Sequence, residues 1–128
     1  MKLIGSKTEK DCREQLIKAH KSLFIDKDKM RLLAVLRTCF PNMKTAYIIK
    51  WLPEQGEDIF TILINNNVIA RVELDRNDLN TAPIIESEPL DKHYKKGLRK
   101  MSQIILAVAL DLANRDLDVK PEHLYYEK

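Results

Sequence analysis

The sequence predicts an α+β fold: an antiparallel sheet of three to four strands with helices packed on it, in the order α-α-β-β-β-(β)-α. Three observations carry this. A helical repeat opens behind a capping signal at Ser6. Two apolar stretches in mid-chain flank three consecutive asparagines, Asn65-Asn66-Asn67, and strands joined by so short a turn run antiparallel. Residues 101–113 read MSQIILAVALDLA, with no polar side chain from Ile104 to Leu110. A helix apolar all round is expected to be buried on several sides. Asp111 interrupts this one too early for it to span a bilayer. A chain of 128 residues accommodates one domain, 1–128, with a core of its own.

The elements follow in order. Ser6-Lys7-Thr8-Glu9 fits the capping box. Cys12, Leu16, Ala19 and Leu23 then repeat at helical spacing, with Ile17 and Phe24 widening the stripe. Asp26 or Asp28 is expected to cap a second helix over 29–39, with Leu32, Leu33, Leu36 and Phe40 as its core residues and Pro41 ending it. Residues 45–51 (TAYIIKW) have the β-branched and aromatic content of a strand, and Pro53 to Gly56 supply a turn. Strands over 58–64 and 68–74 follow, and a short edge strand over 84–87 is bounded by Pro83 and Pro89. Asp91 is expected to cap a long third helix over 92–114, with Gly97 a weak point near its start. A last helical turn is expected from Pro121 to Tyr126.

Parity sets the length of the central loop. A three-residue loop places Phe60, Ile62 and Ile64 on the face shared by Val68, Ala70, Val72 and Leu74; a two-residue loop would place Thr61 and Asn65 there instead. The first is the better core. The other face then carries Ile59, Thr61, Leu63, Ile69, Arg71 and Glu73. With helices expected on one face only, this second face needs cover from the segment around Leu124, Tyr125 and Tyr126, or from another chain.

The net charge of +3 conceals opposed blocks. Residues 1–53 hold twelve Lys/Arg against five Asp/Glu, residues 54–91 hold two against nine, and residues 92–128 hold eight against five. Such blocks bear on partners and steering rather than on fold. Cys12 and Cys39 lie in apolar helical patterns and are expected to be buried free thiols. The N-terminus turns polar after Ile4, unlike a secretory signal. A soluble cytoplasmic protein is the expectation.

Enzyme chemistry finds little support. His20, His93 and His123 lie in three separate elements, with no HExxH, CxxC or other metal spacing. No GxSxG is present, and Cys39 would sit at a helix C-terminus, where the dipole disfavours a thiolate. The three glycines are isolated, so no phosphate cradle forms. No catalytic residue, metal or cofactor is expected. The acidic block is the better lead. Glu57, Asp58, Glu73, Asp75 and Asp78 flank the hairpin ends and are expected to converge as a partner-binding rim, although a merely solvated rim is the competing reading. The basic run Lys92, Lys95, Lys96, Arg99 and Lys100 reads either as a phosphate-binding helix start or as a solvated one.

In whole-chain size, in Trp51-Leu-Pro-Glu-Gln-Gly-Glu-Asp58 leading into a hairpin, and in the acidic block from Glu54 to Asp91, the chain resembles the immunity proteins of bacterial contact-dependent inhibition and other polymorphic toxin systems. The resemblance is compositional and architectural and carries no family residue to a numbered position. It implies a non-enzymatic cytoplasmic binding protein that occludes a cognate toxin, often a basic nuclease. A nucleic-acid-associated or regulatory module using the basic start of the third helix is the alternative.

Overall fold

The computed structural model describes residues 3–118. The order is α1 (Lys7–Ile25), a 3-10 turn (Lys27–Lys29), α2 (Met30–Cys39), β1 (Ala46–Glu54), β2 (Glu57–Ile64), β3 (Val68–Asp75), β4 (Ile84–Pro89), α3 (Lys92–Lys96) and α4 (Lys100–Asp116). The four strands form one antiparallel sheet in sequence order. The expected last turn up to Tyr126, with His123, lies outside the described residues.

The capping box forms with a variation. Ser6 Oγ accepts the Glu9 N–H at 3.2 Å, while the Glu9 carboxylate reaches past Ser6 to accept the N–H groups of Ile4 and Gly5 at 3.0 and 2.9 Å. Burial alone would raise the Glu9 carboxyl, but these hydrogen bonds outweigh it and hold it below the usual carboxylate range. Neither Asp26 nor Asp28 caps α2: the 3-10 turn enters it directly and Asp26 makes no side-chain cap.

The three-residue loop forms as parity requires, with Ile64 opposite Val68, Ile62 opposite Ala70 and Phe60 opposite Val72. Asn65 takes the left-handed backbone, φ 52°, and its side chain accepts the N–H groups of Lys44 and Thr45, tying the loop to the start of β1.

Helices lie on both faces of the sheet, not on one. On the first face, Leu32, Leu33 and Leu36 of α2 and Leu23 of α1 pack on Ala46, Phe60, Ile62, Ile64, Ala70, Val72 and Leu74. On the second, Leu106, Val108, Ala109, Leu112 and Ala113 of α4, with Cys12 and Leu16 of α1, pack on Tyr47, Leu63 and Ile69. The first half of α1 thus serves one core and its last turns serve the other. The cover expected from the C-terminal segment is supplied for Leu63 and Ile69 by α4.

The long third helix is broken. α3 ends at Lys96, Gly97 and Leu98 turn the chain, and Arg99 is extended (φ −69°, ψ 161°) before α4 starts. Asp91 does cap α3, accepting the Tyr94 N–H at 2.9 Å. Because α4 packs on one sheet face and on α1 rather than being enclosed on all sides, Val108 is solvent-free and Leu112 is buried, but Ile104 and Ile105 are only partly buried and Met101 is exposed. Cys12 is buried as expected, whereas Cys39, on the outer side of α2, is exposed; both are free thiols.

Polar contacts lock the second core. Arg13 of α1 and Arg115 of α4 meet the Asp111 carboxylate at 2.8 and 3.2 Å. Asp116 accepts the hydroxyls of Thr45 and Tyr47. Burial, and then the neighbouring Asp116 carboxylate, push the Tyr47 hydroxyl well above the ordinary tyrosine range.

Candidate functional site

The strand register divides the second sheet face into rows running across the strands. Tyr47, Leu63, Ile69 and Glu88 form the row beneath α4. A bulge at Ile48–Lys50 precedes the next row, Lys50, Thr61, Arg71 and Glu86. Then come Leu52, Ile59, Glu73 and Ile84, and finally Glu54, Glu57 and Asp75 at the sheet end. Helix α4 packs on the first row, and its Ser102, Ile105 and Leu106 also border Lys50 and Thr61 of the second. Leu52 is 41% and Ile84 54% exposed, and Ile59 is half-buried.

The five acidic residues expected to converge are divided by this register. Glu57 and Asp75 stand directly opposite each other, with Glu73 one row away on the same face. Glu73 is paired to Arg71 at 3.1 Å. Asp58 points to the opposite face, where it accepts the Trp51 indole N–H at 3.1 Å and lies 3.6 Å from Arg76 Nε. Asp78 lies in the loop after β3. Like charges facing each other across strands destabilise the sheet slightly, so the Glu57–Asp75 pair is not explained by stability.

Much of the remaining acidity shapes the loop after β3. Asp75 Oδ1 accepts the N–H groups of Asn77 and Asp78 at 2.8 and 3.0 Å. Asp78 accepts the Thr81 hydroxyl at 2.8 Å and the Asn80 N–H at 3.0 Å; the Thr81 contact first, then that of Asn80, hold its carboxyl below the usual range. Arg31 of α2 staples the loop from outside, donating to the carbonyls of Asp75 (2.6 Å) and Thr81 (3.0 Å). Arg76 donates to the Glu54 carbonyl across the hairpin end. Asp58, Asp75 and Asp78 therefore have structural duties, while Glu54 and Glu57 are exposed and have no salt bridge among the described residues.

Reading by charge alone missed the apolar members of this surface. Trp51, 52% exposed, stacks on Phe60 with ring centres 5.9 Å apart, and Lys29 lies 5.2 Å from its ring. Leu52 and Ile84 emerge on the other face. No local signal marked them: each lies in a strand that outruns the reach of helices packed from distant segments. A shallow cleft of about 170 Å³ lies between the bulge and the α3–α4 junction, with Lys50 and Thr61 on its floor and Tyr94, Leu98 and Ser102 on its wall.

The other candidates separate. His20 is half-buried; a ring nitrogen lies 2.9 Å from the Ala46 carbonyl oxygen and the ring stacks on Tyr47. The break at Gly97 divides the basic run, with Lys92, Lys95 and Lys96 in α3 and Lys100 at the start of α4. Among the described residues, no group of three or more His, Cys, Asp and Glu side chains is arranged to hold a metal ion, and no helix is long and apolar enough to cross a membrane. Comparison with family models, with curated proteins and with solved structures found no match to the chain.

Proposed function

We propose that the chain is a non-enzymatic binding protein of the bacterial cytoplasm. It neutralises a cognate toxin, of nuclease type, by occluding the toxin's active site with the acidic end of the sheet. One observation supports this above the others: Glu54, Glu57, Glu73 and Asp75 lie together at one end of the sheet, beside its exposed apolar residues Trp51, Leu52 and Ile84. A nuclease binds phosphates with basic side chains, and carboxylates so arranged take the place of those phosphates. Complementary charge raises the encounter rate and excludes wrong partners, and the apolar residues supply the dry centre that holds a complex together.

The test is to express the toxin encoded beside this chain with either the native protein or the Glu54→Lys, Glu57→Lys, Glu73→Lys variant. These three side chains cap no backbone, so the fold is expected to survive, each change costing within about 0.5 kcal/mol. Protection is expected to fall, and residual binding to lose salt sensitivity. Equal protection by both proteins would sink the acidic-docking mechanism. A native protein that neither binds nor protects against the neighbouring product would sink the immunity function. Retention on RNA or DNA, lost on replacing Lys95, Lys96, Arg99 and Lys100, would install the nucleic-acid reading in its place.

A further inference from the structure

The proposed function leaves open which side of the sheet end meets the partner, since Trp51 and Asp58 lie on one side and Leu52, Glu57 and Ile84 on the other. We infer that the partner is a basic protein surface carrying apolar side chains, and that it docks on the half of the α4-side sheet face that α4 leaves open. This inference rests on the binding function proposed above.

Three features favour this side. The first is an apolar row, Leu52, Ile59 and Ile84, interrupted only by Glu73, whose charge is already met by Arg71. Leu52 and Ile84 are exposed and Ile59 is half-buried, and the row spans all four strands. Leu52 and Ile59 adjoin on neighbouring strands and Ile84 follows beyond Glu73, so these apolar groups are aligned rather than scattered singly. The second feature is the wall: the α3–α4 junction rises beside the open rows, and the cleft at its foot, floored by Thr61 and lined by Leu98, admits a side chain. The third feature is charge. Within the three open rows Lys50 and Arg71 face Glu54, Glu57, Glu73, Asp75 and Glu86, leaving these rows acidic, while the basic residues Lys92, Lys95, Lys96, Arg99 and Lys100 belong to the α3–α4 wall. A second copy of the chain would bring two acidic faces together, so a basic partner is the complementary occupant.

On the opposite side the same end of the sheet is already engaged. Lys29 lies over the Trp51 ring, Phe60 stacks on it, and Asp58 holds both the indole N–H and Arg76. Area sets the scale of the contact. Strands about 4.8 Å apart and same-face residues about 6.8 Å apart make the three open rows a patch of about 360 Å², against about 800 Å² per partner in a standard interface. The patch is the centre of the interface, and the Glu54–Glu57 turn and neighbouring loops form its rim.

The test measures binding of the purified product of the adjacent toxin gene to the full chain. Leu52→Lys with Ile84→Lys, both at exposed positions, is expected to weaken binding at least tenfold with an unchanged melting curve. Met30→Lys on the other side, at a site 63% exposed, is expected to leave it within twofold. The reverse pattern, with native binding intact, would overturn the docking side while leaving the proposed function standing; no binding by the native chain overturns both. Two further results would overturn the inference. One is a dimer of the chain alone that Leu52→Lys dissociates, making a second copy the occupant. The other is movement of the Leu52, Ile59 and Ile84 methyl resonances when residues 119–128 are removed, making the chain's own tail the occupant.

Discussion

The two faces of the sheet are made by the same strands and finished differently. Ile62 and Leu63 are adjacent, and both are fully buried, yet they belong to separate cores. On the α2 side the strands present one continuous apolar surface, from Ile64 and Val68 through Ile62 and Ala70 to Phe60 and Val72, closed by the ten residues of α2 and the end of α1. On the α4 side a longer helix of seventeen residues closes the first row and only borders the second. Length is not what decides coverage. α4 divides its apolar surface between α1 and the sheet, with Asp111 clamped to Arg13 of α1. A helix set one row further over would desolvate Lys50, Arg71 and Glu86, which costs more than the apolar contact returns. Charged residues in the second row therefore hold the helix back, and the apolar row beyond them stays open.

The largest expected effect tests whether the half-covered face is nevertheless a true core. Val108→Asp places an unpaired charge at a solvent-free site and is expected to abolish the cooperative thermal transition; a retained transition would mean that α4 is dispensable. Next, Ile62→Ala and Leu63→Ala compare the two cores from neighbouring positions. Each is expected to cost about 2–5 kcal/mol in denaturant titration, and a much smaller cost for Leu63→Ala would show the α4 side to be the looser one. Tyr47→Phe, in the second core, is expected to cost about 1.5–3 kcal/mol by removing the hydrogen bond to the Asp116 carboxylate. Because the folded state holds the Tyr47 proton more tightly than the unfolded chain does, its contribution is complete below about pH 10 and is lost as pH rises beyond that. The variant should lack that alkaline loss, which a pH series of melting temperatures would reveal. The smallest effect is that of Leu52→Lys or Ile84→Lys on stability, expected within about 0.5 kcal/mol; a clear loss of Tm would place these residues in the core and close the open half of the face.

The strand pattern was legible because parity is a local property. Alternation from Phe60 to Ile64 and from Val68 to Leu74 allowed one good loop length, and the observed register has it. The Ser6 cap and the core residues of α2 were readable for the same reason. The acidic rim was legible only as composition. Glu57, Glu73 and Asp75 share a face, but Asp58 does not and Asp78 shapes a loop. Charge counts contain no information on which acids are consumed by local hydrogen bonds. Arg76, which pairs with Asp58, and Arg31, which holds the Asp75 and Thr81 carbonyls, carried no local signal of these contacts. The break between α3 and α4 was half visible: Gly97 marked the weak point, but helix propensity alone does not say whether a glycine is carried through or becomes a turn.

The sequence by itself determined the element order, the antiparallel pairing and the sorting of side chains into two faces, because caps, turns and two-residue periodicity act over a few neighbouring residues. Only the tertiary structure decided that helices lie on both faces, that α1 serves two cores, and that α4 leaves Leu52 and Ile84 exposed at the far end of its face. These outcomes depend on how apolar area from distant segments is shared and on where desolvating a charge outweighs burying a leucine. Neither quantity exists until the segments are brought together.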